Sequence, residues 1–330
     1  MSTTTGSRRE ARPPHSAQPP EQVRRAPTEQ LSARRRRRVV GSPWTPYLFL
    51  APAVLYIVVF QLVPLVQEVY LSFTRTTLLN PAVSVWVGLA NYQRVFADPE
   101  FQQTLLTTAV YVVCCVVGPV GLGLIVALLL NGRFPGRGVA RSLVTIPWAA
   151  PGIAVALIAT WMFNPQFGIL TRLLRAVGID PGASGALDNP RLALAAILLT
   201  TIWQLVPFVA VVLLSALQSV PQELVEAASM DGAGRWAVFR VVTWQVLKPT
   251  VGLVAVLMTI WSLRRFELIW LMTRGGPLGS TRTLVIDLYS QAFESKQLGV
   301  AAAIGMVGIV ISAIVIIGSR LVARAAAREA

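Results

Sequence analysis

The stretch EAASMDGAGRW, residues 226–236, is a polar, helix-forming insert between two long apolar stretches. Pro221 precedes it and Pro249 follows it. The pair Asp231-Gly232 inside it favours a sharp turn, because Asp bonds to nearby backbone and Gly adopts positive φ without a steric penalty. The pattern therefore predicts a helix, a turn and a second helix.

Apolar side chains recur at helical spacing after the turn. Trp236, Phe239 and Val242 share one face, which predicts a second helix over 235–247. Proline lacks the backbone N–H that a helix interior needs. Pro249 is therefore expected to close this helix before the next apolar stretch begins.

Apolar runs make up most of the remaining chain. Of its 330 residues, 54% are hydrophobic and 13% are charged, a composition typical of membrane proteins. A span needs about 20 mostly apolar residues to cross about 30 Å of hydrocarbon. We predict an all-α, polytopic membrane protein with six transmembrane helices. Their approximate ranges are 47–71, 104–131, 140–163, 192–218, 250–273 and 299–322.

The first 43 residues differ from the rest. Residues 1–43 are rich in Pro, Arg, Ser and Gln and have no apolar periodicity, so we predict a disordered tail followed by a transmembrane domain over 44–330. The arginine run 34–38 just before the first span favours cytoplasmic retention and contact with anionic lipid over nucleic-acid binding. With six spans, both termini and the insert are expected in the cytoplasm of a plasma-membrane protein.

Residues that enzymes and ATPases require are missing. The single histidine, His15, lies in the tail, whereas a Ser-His pair or an H-E-x-x-H zinc site needs one near the catalytic residues. A phosphate-binding Walker A loop needs a lysine directly after a glycine. Lys248 follows a leucine and Lys296 follows a serine, so neither fits this motif. We therefore predict no enzyme activity and no cofactor in this chain. If ATP drives its function, a partner binds the ATP and Mg²⁺.

The insert resembles a known signature. Its residues Glu226-Ala227-Ala228 and Asp231-Gly232-Ala233, with Phe239 and Pro249, resemble the EAA motif of binding-protein-dependent ABC importer permeases. Trp244-Gln245 departs from the Leu-Pro pair usual there. The resemblance covers nearly everything after residue 43. Four flanking stretches resemble the sugar-permease branch: VGLANYQRVFADPEF (87–101), FNPQFGILTRLLRAVG (163–178), ALQSVPQELVEAASMDGA (216–233) and TRGGPLGSTRTLVIDLYSQAFES (273–295).

The resemblance implies a cytoplasmic coupling helix that docks into a groove on an ATPase. The implied coupling residues are Glu226, Ala227, Ala228, Asp231, Gly232 and Ala233. The implied partners are a second permease, an ATP-binding subunit dimer and an extracytoplasmic solute-binding protein, besides membrane lipid. No nucleic acid is expected. Without the resemblance, the residues describe an ordinary amphipathic loop equally well.

The fifth predicted span contains two charges that need an explanation. In IWSLRRFELIW (260–270), each arginine facing lipid would cost about 2.5–3.5 kcal/mol at the bilayer centre. We expect them to face a polar cavity, to pair with Glu267 at i,i+3 spacing, or to snorkel outward. Residues of a possible solute path are Gln204, Trp261, Arg264, Arg265 and Glu267.

Other interpretations of these residues stay open. The arginines also suit a salt bridge between spans, and the tryptophans suit interfacial anchors. The expected solute is a carbohydrate, with glycerol phosphate or another small polar solute as the alternative. An ATP-independent channel or carrier is a further alternative, although no chain of buried acids or filter motif supports it.

Overall fold

The structure is a computed structural model that describes residues 44–328. The predicted tail and its arginine run lie outside this range, so the predicted disorder and the domain boundary stay predictions. The chain forms two compact units, one ending at Ile57 and the other beginning at Val58. The described part of the first unit is essentially one helix, α1 (Thr45–Ile57).

The second unit is mostly helical and begins with a π-helical turn, Val58–Leu62. A short hairpin, β1 (Thr74–Thr77) and β2 (Asn80–Trp86), follows the helix α2 (Val63–Ser72). The helices are α2 (Val63–Ser72), α3 (Ala90–Ala97), α4 (Pro99–Asn131), α5 (Arg137–Ala149), α6 (Gly152–Met162), α7 (Ile169–Ala176), α8 (Ala193–Gln218), α9 (Gln222–Met230), α10 (Arg235–Val238), α11 (Trp244–Leu263), α12 (Glu267–Thr273), α13 (Leu284–Tyr289) and α14 (Leu298–Arg328).

The apolar helices agree with the predicted membrane architecture. Within residues 44–328, five helices are long and apolar enough to cross a membrane, or six if the bent pair α5 and α6 forms one span. The five ranges are Tyr47–Ser72, Pro99–Asn131, Ala193–Gln218, Arg235–Leu263 and Leu298–Ser319. The chain is therefore a polytopic helical membrane protein.

The third predicted span, 140–163, is wrong as a single helix. The structure divides it into α5 and α6, which meet at an angle of 92°. Ala150 adopts an extended conformation with ψ 138°, and Pro151 precedes the first residue of α6. A residue before proline is driven out of the helical region by the proline ring, so the bend has a local cause.

The bounds of the fifth predicted span, 250–273, are also wrong. The helix starts at Arg235, passes through a π-helical turn at Phe239–Thr243 and continues into α11 with Pro249 inside it. Leu247 and Val254, on either side of this proline, are fully buried. Their packing outweighs the backbone hydrogen bond that proline removes. The helix then stops at Leu263, before the two arginines.

The β-hairpin adds an element that the sequence analysis did not predict. Its strands pair antiparallel with Thr74 opposite Trp86. The side-chain amide of Asn91 anchors it by donating to the carbonyl oxygens of Ser72 at 2.9 Å and of Thr74 at 2.8 Å. The pair Asn80-Pro81 at the start of β2, directly after the turn residues Leu78 and Leu79, was its local sign, but strands this short give too little alternation to be recognised.

A buried acid in α13 gives the fold a testable pH dependence. Burial raises the pKa of Asp287 to about 6 from an ordinary 3.8; Arg282 acts in the opposite direction, and Asp98 and Glu100 add to the rise. The folded state thus binds this proton more tightly than the unfolded state. The stabilisation that protonated Asp287 gives the folded state is fully present below pH 3.8 and is lost as the pH rises through about 6.

We therefore expect Asp287→Asn to raise the melting temperature more at about pH 7.5 than at about pH 5, because it removes a charge that burial disfavours. Thermal unfolding of the purified protein in detergent measures this. The exposed Asp188 supplies the matched control, since Asp188→Asn should change neither value. An equal loss of stability at both pH values would contradict the prediction.

Candidate functional site

A cavity of about 530 Å³ brings together side chains from four parts of the second unit. All five residues selected from the sequence as a possible solute path line it: Gln204, Trp261, Arg264, Arg265 and Glu267. Gly152, Phe266 and Leu268 complete the lining. The outer cavity, as we call this space, is therefore a polar site inside a largely apolar protein.

A break between two helices places the arginines on the outer cavity. The sequence analysis put Arg264 and Arg265 inside a continuous span, but α11 ends at Leu263 and α12 begins at Glu267. Arg264 leaves the helix with φ −101° and ψ 3°. Of the three environments expected for these arginines, the structure provides a polar cavity.

The pairing of Arg264 with Glu267 that the spacing allowed does not form. Within residues 44–328, the ion pair joins Arg282 Nη1 to Glu100 Oε2 at 2.9 Å. The i,i+3 geometry that would bring Arg264 and Glu267 together requires a helix through both residues. Since the helix is interrupted between them, both charged groups stay exposed to the cavity.

A hydrogen-bond chain holds the half-buried Arg265. Its Nη1 donates to Oε1 of Gln204 at 2.7 Å, and Nε2 of Gln204 donates to the carbonyl oxygen of Ala150 at 3.4 Å. The Gln204 side chain is only 6% exposed. This chain connects the helix break, α8 and the bend between α5 and α6. An arginine has five N–H donors, of which the bond to Gln204 uses one.

Glu267 supplies acceptors on the other side of the cavity. Its carboxylate lies against the start of α6, where a Cβ on Gly152 would come within 3.0 Å of Oε2. A helix N-terminus favours a nearby negative charge, and glycine leaves room for it. The outer cavity thus offers both hydrogen-bond donors and acceptors.

Aromatic rings flank the outer cavity. Trp261 lies 4.9 Å from Phe208, which lies 5.4 Å from Trp148, measured between ring centroids. On another side, Phe266 lies 4.8 Å from Tyr289. The sequence analysis missed Phe208; its position four residues after Gln204, on the same helix face, was the available sign.

The predicted coupling segment forms a helix, a turn and a second helix. Glu226, Ala227, Asp231 and Gly232 are exposed, while Ala228 and Ala233 are half-buried. The predicted positive φ of Gly232 is confirmed at 81°. The Gly232 N–H donates to Ser229 O at 3.1 Å and the Ala233 N–H to Ala228 O at 3.0 Å. This pair of bonds is a Schellman motif, which ends α9 with a glycine in left-handed geometry.

Two apolar side chains of α9 were missed as candidate contacts. Leu224 is 53% exposed and Met230 is 88% exposed. Single exposed apolar side chains are common on protein surfaces, so these two become candidate contacts only because they lie in the predicted coupling segment. The isolated apolar residues within this otherwise polar insert were the sign that the sequence offered.

Comparison with known proteins identifies the family. Residues 120–328 match the model of the binding-protein-dependent transport system inner membrane component. The trehalose/maltose transport system permease protein MalF of Thermococcus litoralis is 34% identical over 80% of this chain and 88% of its own. The sulfoquinovosyl glycerol transport system permease protein SmoG of Agrobacterium fabrum is 33% identical over 81% and 86%.

The fold also matches a solved importer. The crystal structure of a bacterial alginate ABC transporter, in complex with an alginate pentasaccharide-bound periplasmic protein, contains a chain that superposes with a TM-score of 0.71 at 20% identity, over 84% of this chain and 92% of that one. Membership of a transport family sets aside an enzyme and an ATP-independent channel. The chain belongs to the binding-protein-dependent transport system inner membrane component family, and it is a multi-pass cell-membrane permease of an ABC importer.

Proposed function

We propose that this permease carries a carbohydrate and that the outer cavity holds the solute in transit. The observation that carries this proposal is the combination of the Arg265–Gln204 donors, the Glu267 carboxylate and the ring of Trp261 around one cavity. Carbohydrates present hydroxyl groups that need donors and acceptors, and C–H faces that pack on aromatic rings. The names of relatives that transport trehalose, maltose and sulfoquinovosyl glycerol support the same class.

An anionic solute is the second candidate. Arg264 and Arg265 outnumber the single carboxylate of Glu267 around the outer cavity. Guanidinium groups bind carboxylate and phosphate in a charge-assisted way. Glycerol phosphate or an acidic sugar would use this excess of positive charge, whereas a neutral sugar would not need it.

In this proposal, α9 and the turn after it form the coupling element. A partner ATPase dimer, which binds ATP and Mg²⁺, contacts the exposed side chains of α9, among them Glu226 and Met230, which are four residues apart and share one helix face. Glu226 offers a charge-assisted partner to a cation on the ATPase. Both termini and this segment then face the cytoplasm. A second permease completes the path, a solute-binding protein delivers solute from the other side, and nucleic acid has no part.

Purification of the tagged chain from its native membrane tests the proposal. An ATPase and a second permease should co-purify. When the complex with its binding protein is denatured, mass spectrometry of the released solute should identify a mono- or oligosaccharide. A phosphorylated or acidic sugar would favour the second candidate. Release of an amino acid or a metal complex as the bound solute would refute the carbohydrate assignment.

A further inference from the structure

A second cavity of about 380 Å³ lies between α5 and α8. Its polar lining comes from Arg141, Ser142 and Thr145 of α5 and from Ser215 and Gln218 of α8. It lies at the end of α8 that leads into α9, the side of the membrane that carries the coupling segment. We call it the inner cavity.

One face of α8 runs through both cavities. Gln204 lines the outer cavity, whereas Val211, Ser215 and Gln218 line the inner one. At about 100° per residue, these positions and Phe208 fall within about 80° of one another around the helix. Gln204 and Gln218 are about 21 Å apart along the axis, at 1.5 Å per residue. The two cavities therefore follow one stripe of a single helix.

α5 repeats the arrangement from the opposite side. Arg141, Thr145 and Trp148 are spaced by four and three residues, so they share one helix face. Trp148 contacts Phe208 of α8, at 5.4 Å between ring centroids, while Thr145 and Arg141 line the inner cavity. The two helices thus enclose the inner cavity with their matching faces.

Three aromatic rings follow one another from the outer cavity, which Trp261 lines, towards the inner one. Phe208 is in contact with Trp148 on α5 and with Trp261 on α11. Along α8 it lies between Gln204 of the outer cavity and Val211 of the inner cavity. We call Trp148, Phe208 and Trp261 the aromatic trio. Its rings lie along the stripe of α8 that separates the two polar spaces.

The inner cavity repeats the chemistry of the outer one. Arg141 Nη2 donates to the carbonyl oxygen of Leu130 at 3.1 Å, which fixes the guanidinium. Its buried Nε has no partner within the described residues. Gln218 adds an amide, as Gln204 does in the outer cavity. Each cavity therefore combines an anchored guanidinium with an amide that can donate and accept.

We propose that the inner cavity is the next chamber of the solute path and that the aromatic trio is the barrier between the two chambers. This inference rests on the proposed function, in which the outer cavity holds the solute. A hydroxylated solute that passes the trio finds donors and acceptors again. It reaches them beside the coupling segment, where it can leave the protein.

Access of a thiol reagent tests the path without knowledge of the solute. The probe is a membrane-impermeant, positively charged methanethiosulfonate, applied without ATP to the assembled transporter in vesicles that expose the coupling segment. Thr145→Cys should react at least about tenfold faster than Leu143→Cys, because a charged reagent does not partition into lipid. Leu143 is 59% exposed and lies on the opposite face of α5, so it is the matched control.

The barrier is tested in the same vesicles. Adding Phe208→Ala to Gln204→Cys should raise the reaction rate of that cysteine at least about tenfold, because removal of the ring leaves a gap between Trp148 and Trp261. Wild-type protein, with Cys114 and Cys115 free, gives the background rate. Co-purification of the ATPase shows that each variant assembles.

Two results would overturn the inference. If Thr145→Cys reacts no faster than Leu143→Cys, the inner cavity is covered by lipid or by another subunit. If Gln204→Cys reacts equally fast with and without Phe208→Ala, the aromatic trio is not the barrier. Neither result changes which solute the complex releases, so this inference and the proposed function can fail separately.

Discussion

Gly232→Val is expected to abolish the stimulation of ATP hydrolysis by loaded binding protein while the permease stays in the membrane. Gly232 ends α9 with a φ of 81°, where a β-branched residue is strained by about 1–3 kcal/mol. A Cβ at this position meets no atom within 4 Å. The effect therefore comes from the backbone of the turn that orients α9, and the membrane core is untouched.

Gly234→Val is the matched control for this prediction. Gly234 lies two residues later, with φ −66° and ψ 162°, a conformation open to any residue, and its Cβ would also meet no atom within 4 Å. ATP turnover in proteoliposomes, with and without loaded binding protein, should separate the two variants. Glu226→Ala should give a milder loss than Gly232→Val. Equal coupling in Gly232→Val and wild type would mean that the segment is only a loop.

Arg265→Met is expected to reduce solute uptake at least about tenfold, since hydrogen bonds to charged groups contribute about 1.5–3 kcal/mol and 1.4 kcal/mol is a tenfold change. The substitution keeps much of the side-chain length but removes the donor to Gln204 Oε1. It also leaves the amide of Gln204, only 6% exposed, without that partner. Initial uptake rates in proteoliposomes give the measurement, with the released solute as substrate.

Two further arginine variants serve as comparisons for Arg265→Met. Arg264 lines the same cavity but is exposed, so Arg264→Met should reduce uptake less. Arg175 lies exposed in α7, outside the cavity lining, and Arg175→Met should leave uptake unchanged. If Arg265→Met transports like wild type at an equal membrane level, the outer cavity is not the solute site.

Features that depend on neighbouring residues could be predicted from the sequence. Asp231-Gly232 predicted a turn with positive φ, and that is how α9 ends. The bend before Pro151 also has a purely local cause, yet the sequence analysis passed over it because the apolar run continues through it. The continuation of α11 through Pro249 had the opposite origin: tertiary packing of Leu247 and Val254 overrides a local signal.

The sequence by itself determined that the chain crosses a membrane repeatedly. In lipid, the backbone N–H and C=O groups of a long apolar run find no water, so they must bond to one another, and a helix allows this. The sequence also determined that the insert would form an exposed turn with a positive φ at Gly232. Only the tertiary structure decided what the charges of the fifth span do. Arg265 finds its partner in Gln204, 61 positions earlier, and the helix break after Leu263 places it on the outer cavity. Spacing along a chain carries no information about such contacts, because they arise only when separate helices come together.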